Sequence, residues 1–206
     1  MDYQTLFLFV TATAALAISP GPDNIYVLVQ SLTNGVKYGI ATVAGLITGC
    51  IIHTSLLAFG LSTIIAENDT VFFIIKLFGA LYLLFLAYKV FRSDARLNID
   101  ASGAPKKSPK QLFVQGFFMN VLNPKVTIFF LAFFPGFLFS ETLSTVWQFY
   151  ILGGIFMLVS FFIFSLIALL AGSIKDKLLG SNNAALILKW LQIVVFIGIA
   201  VFILLP

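Results

Sequence analysis

Six long apolar runs, separated by shorter polar stretches, organise the 206-residue chain. They extend over Thr5 to Val29, Ile40 to Thr63, Val71 to Phe91, Leu112 to Phe139, Val146 to Gly172 and Ala184 to Leu205. A helix of about 20 apolar residues crosses a hydrocarbon core, so the pattern predicts an all-α integral membrane protein with six transmembrane helices. Two runs are not regular. In the first, Ile18-Ser19-Pro20-Gly21-Pro22-Asp23-Asn24 places two prolines and a carboxylate in the middle of an apolar stretch. In the fourth, Asn120-Val121-Leu122-Asn123-Pro124-Lys125 places a proline and a lysine there. Proline removes an N–H and clashes with the preceding turn, and a charge at mid-membrane costs about 2.5–3.5 kcal/mol on insertion scales. Such backbone persists only where protein or a water-filled cavity surrounds it. Interrupted spans at matching places in two halves point to a transporter binding site.

Composition and charge sharpen this picture. Hydrophobic residues make up 60% of the chain and charged ones 10%, against about 25% charged in a soluble domain. The basic residues Lys37, Lys89, Arg92, Arg96, Lys106, Lys107, Lys110, Lys175, Lys177 and Lys189 all fall on one side of the six-span pattern. The acidic Asp2, Glu67, Asp69 and Glu141 fall on the other. The positive-inside rule then predicts a multi-pass protein of the bacterial inner (plasma) membrane, with both termini extracytoplasmic. Met1 to Ser19 has no basic leading region and reads as the first span rather than a cleaved leader. Basic residues confined to membrane-proximal loops argue against a nucleic-acid partner. One cysteine, Cys50, and one histidine, His53, exclude an intramolecular disulfide, a redox CxxC pair and a Cys/His zinc site. The sequence implies no cofactor and no metal.

Three spans lie on each side of a Ser-, Gly- and Pro-containing basic linker. The expected organisation is a first three-helix repeat over residues 1–91, a cytoplasmic linker over 92–111 and a second repeat over 112–206. An odd number of spans per half turns the second half over relative to the first, the inverted-repeat arrangement. Laying Ser19-Pro20 over Asn123-Pro124 pairs Thr5 with Pro109, so span four should begin within the linker, before the apolar run. Ser or Asn followed by Pro is a helix start. Spans one and four are therefore expected to be broken helices, each with a second half beginning inside the membrane, capped by Ser19 and by Asn123. The N–H groups and positive dipole end of such a half-helix attract a carboxylate.

The candidate site residues lie around these breaks. Ser19, Asp23, Tyr26 and Gln30 recur at spacings of four, three and four, one stripe of a helix, as do Gly116, Asn120 and Asn123. Asp23 would receive a substrate ammonium group or carry a proton; otherwise it caps the half-helix beside it. Lys125 would point about 200° away from Asn123 on a straight helix, so it joins the site, as a partner of Asp23 or of substrate, only if span four is broken. His53 is either a proton relay or a neutral imidazole bonded to a neighbouring helix. Gly45 and Gly49 allow another helix to approach closely, in the same chain or in a homodimer. Lys76 is expected to snorkel to the interface.

These residues resemble the lysine-exporter family of amino-acid effluxers, LysE/RhtB. Ser19-Pro20-Gly21-Pro22 with Asp23-Asn24 is similar to the family's span-one signature. Gly116 to Asn120 with Leu122-Asn123-Pro124-Lys125 and Phe129-Phe130 is similar to its span-four signature, and the resemblance covers the whole chain. It implies a secondary transporter that exports small amino acids or related zwitterions, driven by a proton or other cation gradient. Ser19, Pro20, Gly21, Pro22, Asp23, Asn24, Tyr26, Asn120, Asn123, Pro124 and Lys125 would line the substrate path. It also implies that a plain Asn is tolerated where Asp23 stands. Three rivals fare worse. A cation transporter needs several carboxylate oxygens, a membrane enzyme needs a nucleophilic or metal constellation, and a sensor subunit needs a domain that reads out a signal.

Overall fold

The computed structural model describes residues 3–61, 68–93, 107–173 and 182–205. Asp2, Glu67, Arg96, Lys106, Lys175, Lys177 and linker positions 94–106 lie outside them. Secondary structure among the described residues is helical throughout. In chain order it comprises α1 (Tyr3–Ile18), α2 (Pro22–Asn34), α3 (Val36–Leu56, widening into a π turn at Leu57–Leu61) and α4 (Asp69–Arg92). Then follow α5 (Pro109–Val121), α6 (Pro124–Phe133, ending in a 3₁₀ turn at Phe134–Phe137), α7 (Thr145–Leu169) and α8 (Asn182–Leu204). Helices α3, α4, α7 and α8 are each long and apolar enough to cross a membrane. The pairs α1/α2 and α5/α6 reach that length only together, bent by 58° and 51° at their breaks. The described residues thus hold four such helices, or six if each bent pair is one span. Phe78, Leu158, Phe162 and Ile187 lie bare on the outer surface, which is stable only where hydrocarbon is the solvent.

Both breaks fall where proline dictates, but the first is displaced by two residues from its expected place. The second half-helix of span one starts at Pro22 with Gly21 as its N-cap in extended backbone (φ −162°), not at Pro20 with Ser19. The reason is local. A residue preceding proline is kept out of the α region, so a helix begun at Pro20 would have to pass through Gly21 in the one conformation Pro22 disfavours. Ser19 ends α1 instead, donating its N–H to Ala15. Its hydroxyl finds no hydrogen-bond partner among the described residues. In span four the expected cap is present: Asn123 is extended and its Oδ1 accepts from Lys125 N at 3.0 Å. Span four also starts before its apolar run, at Pro109, where Ser108 and Gln111 form a reciprocal capping box.

Glycines set the closest helix contacts. A Cβ at Gly45 would lie 2.0 Å from the carbonyl oxygen of Phe113, and one at Gly116 would lie 2.5 Å from that of Thr42. The helix that Gly45 and Gly49 admit is therefore α5 of the same chain. On its other side α3 meets α7, where a Cβ at Gly153 would lie 2.4 Å from Thr54 Oγ1. The sharp turn from α2 into α3 uses Gly35 at φ +102°, a region glycine enters without steric cost. Phenylalanines from α1, α6, α7 and α8 then fill the side of the bundle nearest the termini. Phe129 and Phe133 stack at 4.4 Å, Phe130 and Phe134 at 4.1 Å, and Phe137 and Phe202 at 4.7 Å between ring centres. Lys76 lies half-buried at that end and donates to the carbonyl of Leu205 at 3.1 Å.

The glycine contacts carry a stability prediction. Gly45→Ala puts a methyl into a backbone carbonyl that cannot rotate aside, so it should greatly lower the folded yield and melting temperature. Gly154→Ala, with nothing within 4 Å of its added carbon, should be neutral or stabilising by about 1 kcal/mol through helix propensity. Fluorescence-detected size exclusion after a heating series measures both; equal stability of the two variants would refute the packing argument.

Candidate functional site

The two breaks create four sets of unpaired backbone groups at mid-bundle, and the site is assembled from the side chains that answer them. Proline has no N–H, so Pro124 leaves the carbonyl of Asn120, four residues back, without its helical partner. That oxygen instead accepts from Asn123 N at 3.0 Å and from His53 Nε2, on α3, at 3.1 Å. A carbonyl can only accept, so Nε2 carries a proton and donates in this bond. At the first break the carbonyl of Ala17 loses Gly21 as its donor. Asn24 Nδ2 takes that place at 2.7 Å. His53 thus has the role of a buried imidazole bonded to a neighbouring helix, with its ring 5.5 Å from that of Phe130.

The half-helix starts are treated unequally. Asn123 caps α6 through Oδ1, and this capping pose aims its Nδ2 at Asp23 Oδ2, 3.0 Å away across the two breaks. The start of α2 has no side-chain cap among the described residues. Asp23 is 8% exposed, and its other oxygen, Oδ1, has no hydrogen-bond partner among the described residues. Lys125 turns toward the same region because span four is broken beneath it. Its Nζ sits 5.0 Å from the centre of the Phe196 ring, contributed by α8. It also lies 3.5 Å from where a Cβ on Gly21 would be. No hydrogen bond joins Lys125 to Asp23 directly; the two charges face a shared space, each held by something else.

That space is a cavity of about 40 Å³, measured as the volume open to the centre of a water molecule. That is room enough for water. Of the residues singled out from sequence, Gly21, Pro22, Asp23, Asn24, Asn120, Asn123 and Lys125 line it. Ser19, Pro20, Tyr26, Pro124 and His53 do not line it. Tyr26 continues the α2 stripe away from the cavity, toward Gln30, whose Oε1 accepts from Asn34 at 2.9 Å. The sequence reading missed the contributions of α3 and α7. Cys50 lies on the wall and contacts Asn120 Oδ1 through sulfur at 3.6 Å. Phe156, Ser160 and Phe164, one turn apart along α7, form the opposite wall. Their four-residue spacing was readable, but an apolar helix with two serines, Ser160 and Ser165, gives no sign of which face turns inward.

The model of the LysE type translocator family matches residues 14–206. A homoserine/homoserine lactone efflux protein of Salmonella typhi is 30% identical over 183 residues, 89% of this chain and 88% of that protein. Its counterpart in Salmonella typhimurium is 31% identical over 141 residues, 68% of each chain. The uncharacterized membrane protein YrhP of Bacillus subtilis is 32% identical over 143 residues, 66% of this chain and 68% of that one. No solved structure matches the chain.

The link between the breaks can be measured. In a double-mutant cycle of Asp23→Ala and Asn123→Ala, read as thermal or denaturant stability in detergent, the coupling energy should be about 1.5–3 kcal/mol, as for a hydrogen bond to a charged group. Strict additivity would mean that the two breaks are not joined. In the same assay His53→Ala should cost about 0.5–1.5 kcal/mol by removing one of the two donors to the Asn120 carbonyl, and His53→Gln, which keeps a donor, should recover part of it.

Proposed function

The chain belongs to the LysE type translocator family, and from that premise we propose that it is a secondary transporter exporting small amino acids or related zwitterions from the cytoplasm. One observation carries the reading: a carboxylate with one unclaimed oxygen and a lysine ammonium share a cavity at the junction of two broken helices. An α-amino acid offers the complementary pair of charges. Its ammonium meets Asp23 Oδ1, with the Asn120 amide beside it. Its carboxylate meets the uncapped start of α2 and Lys125, since free N–H groups at a helix start favour an anion. The relatives named for homoserine and homoserine lactone efflux support a substrate of this size and charge type. A hard cation would find a single carboxylate here, which favours the zwitterion over the cation-transporter alternative.

On this reading each bent pair is one span. The chain then has six spans, arranged as inverted repeats over residues 1–91 and 112–206, joined by a cytoplasmic linker over 92–111. The packing supports the symmetry. Helix α3 of the first half runs along α5 and touches α6, while α7, its counterpart, runs along α1 and touches α2. Both termini face away from the cytoplasm of a bacterial inner membrane. The cavity must open to each side of the membrane in turn, so each transport cycle moves the half-helices apart. Asp23 is the carrier of the coupling proton, and His53 holds the span-four break rather than relaying protons.

Two measurements test this. In proteoliposomes, Asp23→Asn should lower proton-gradient-driven efflux of a labelled small amino acid at least tenfold while substrate exchange persists, because Asn keeps the shape and hydrogen bonding of Asp without its titration. Undiminished gradient-driven efflux would remove the proton role. Reporter fusions at Pro206 and at Lys106 should be active outside and inside the cytoplasm respectively; a C-terminal fusion that fluoresces in the cytoplasm would sink the six-span orientation.

A further inference from the structure

We propose that Ser160 determines substrate specificity by hydrogen-bonding a polar group, such as a hydroxyl, on the side chain of a short amino acid. This rests on the transporter reading of the same cavity and extends it to a helix that reading does not use. Ser160 is 2% exposed, lines the cavity, and its hydroxyl has no hydrogen-bond partner among the described residues. A serine within a helix ordinarily satisfies its hydroxyl on the carbonyl one turn back, yet here that bond is not made. An unmade hydrogen bond on a buried group is costly, and a chain tolerates it most readily where a ligand completes it.

The other polar groups of the cavity narrow the assignment. Asn24 is spent on the Ala17 carbonyl, Asn123 on the α6 cap and Asp23, and the Asn120 oxygen on Cys50. Among the groups that line the cavity, those buried without a partner among the described residues are an acceptor at Asp23 Oδ1 and a neutral donor-acceptor at Ser160, beside a cation at Lys125 seated over an aromatic ring. These are three points of three different chemistries. The two charged ones match the ammonium and carboxylate common to all amino acids. Only the third is free to distinguish one amino acid from another. Its neighbours on α7 are Phe156 and Phe164, one turn to either side. The side-chain subsite is thus a narrow apolar slot with a single hydroxyl on its wall. It would accept a short neutral side chain and favour one that hydrogen-bonds. A charged side chain would be left unpaired between two phenyl rings.

The test compares L-homoserine with L-2-aminobutyrate, which has the same carbon skeleton without the hydroxyl. Counterflow exchange in proteoliposomes holding the purified full chain needs no driving gradient, so it is independent of the coupling ion. The unsubstituted protein should prefer homoserine, and Ser160→Ala should reduce that preference about three- to tenfold, the worth of one neutral hydrogen bond. Exchange of 2-aminobutyrate should fall far less than that of homoserine. The melting temperature of Ser160→Ala should not fall, because the substitution removes an unsatisfied hydroxyl rather than a structural bond. An unchanged ratio, or an equal loss for both substrates with a lowered melting temperature, would overturn the Ser160 assignment and leave the transporter reading intact. If the unsubstituted protein moves neither compound nor any other small amino acid, the transporter reading fails and this proposal falls with it.

Discussion

Everything in the middle of this bundle follows from the need to satisfy backbone polar groups where no bulk water reaches. In hydrocarbon each stranded N–H or C=O costs several kcal/mol. Pro22 and Pro124 strand such groups at two points that pack against each other. The answers come from a short list of side chains: Asn24 for Ala17, His53 for Asn120, and Asn123 for the start of α6. Because an amide has two ends, the cap made by one end of Asn123 fixes where the other end points. That other end holds Asp23. The position of the carboxylate is thus a consequence of the cap, and the cap is a consequence of the proline. The uncapped start of α2, where Gly21 has no side chain to offer, is the one place where the same demand is left for something else to meet.

The two charges are stabilised by different means, and the difference matters for what the cavity can do. Asp23 keeps one oxygen on an amide donor and leaves the other unclaimed. Lys125 rests on the face of Phe196, an attraction that reaches about 2 kcal/mol once water is excluded. A direct ion pair would have closed both groups to any third party. Holding each charge on a neutral support, within one cavity but out of mutual contact, keeps both available for a zwitterion at modest cost. Sequence-distant α8 supplies the ring for Lys125, as α3 supplies the imidazole for the break, so the site depends on helices that contribute no charge to it.

Much of the architecture was legible along the chain because it is written in local signals. Apolar run length gives the spans, Pro124 preceded by Asn gives a cap, and Pro109 preceded by Ser gives an early start to span four. The first break was misplaced by two residues for want of one rule. Proline constrains the residue before it as well as itself, and with Pro20 and Pro22 so close only the later one can open a helix. What periodicity could not supply was long-range pairing. Nothing local says that Gly45 meets the backbone of Phe113, that Phe196 underlies Lys125, or that Ser160 faces Asp23 across a cavity rather than lipid. Helix α7 is apolar on all sides, so its inward face is decided by which neighbours pack against it and not by its own pattern.

The packing on either side of the cavity also differs in kind, and this bears on how the bundle can open. Toward the termini the cavity floor is a block of close-packed phenylalanines, Phe9, Phe129, Phe130, Phe133, Phe134, Phe137 and Phe202 among them. Water cannot replace ring-to-ring contacts, so this block resists piecemeal wetting and must part as a body. Away from the termini the continuation of α2 carries Tyr26, Gln30 and Asn34, and Gln115 on α5 accepts from Lys107 at 2.5 Å. Hydrogen bonds of that sort exchange with water one at a time at little cost. A bend of more than 50° at each break lets the half-helices on one side tilt while their partners stay packed. The polar side can therefore open by small steps with the aromatic block intact. Opening the other side demands a concerted separation of α1, α6 and α8, whose rings interlock there.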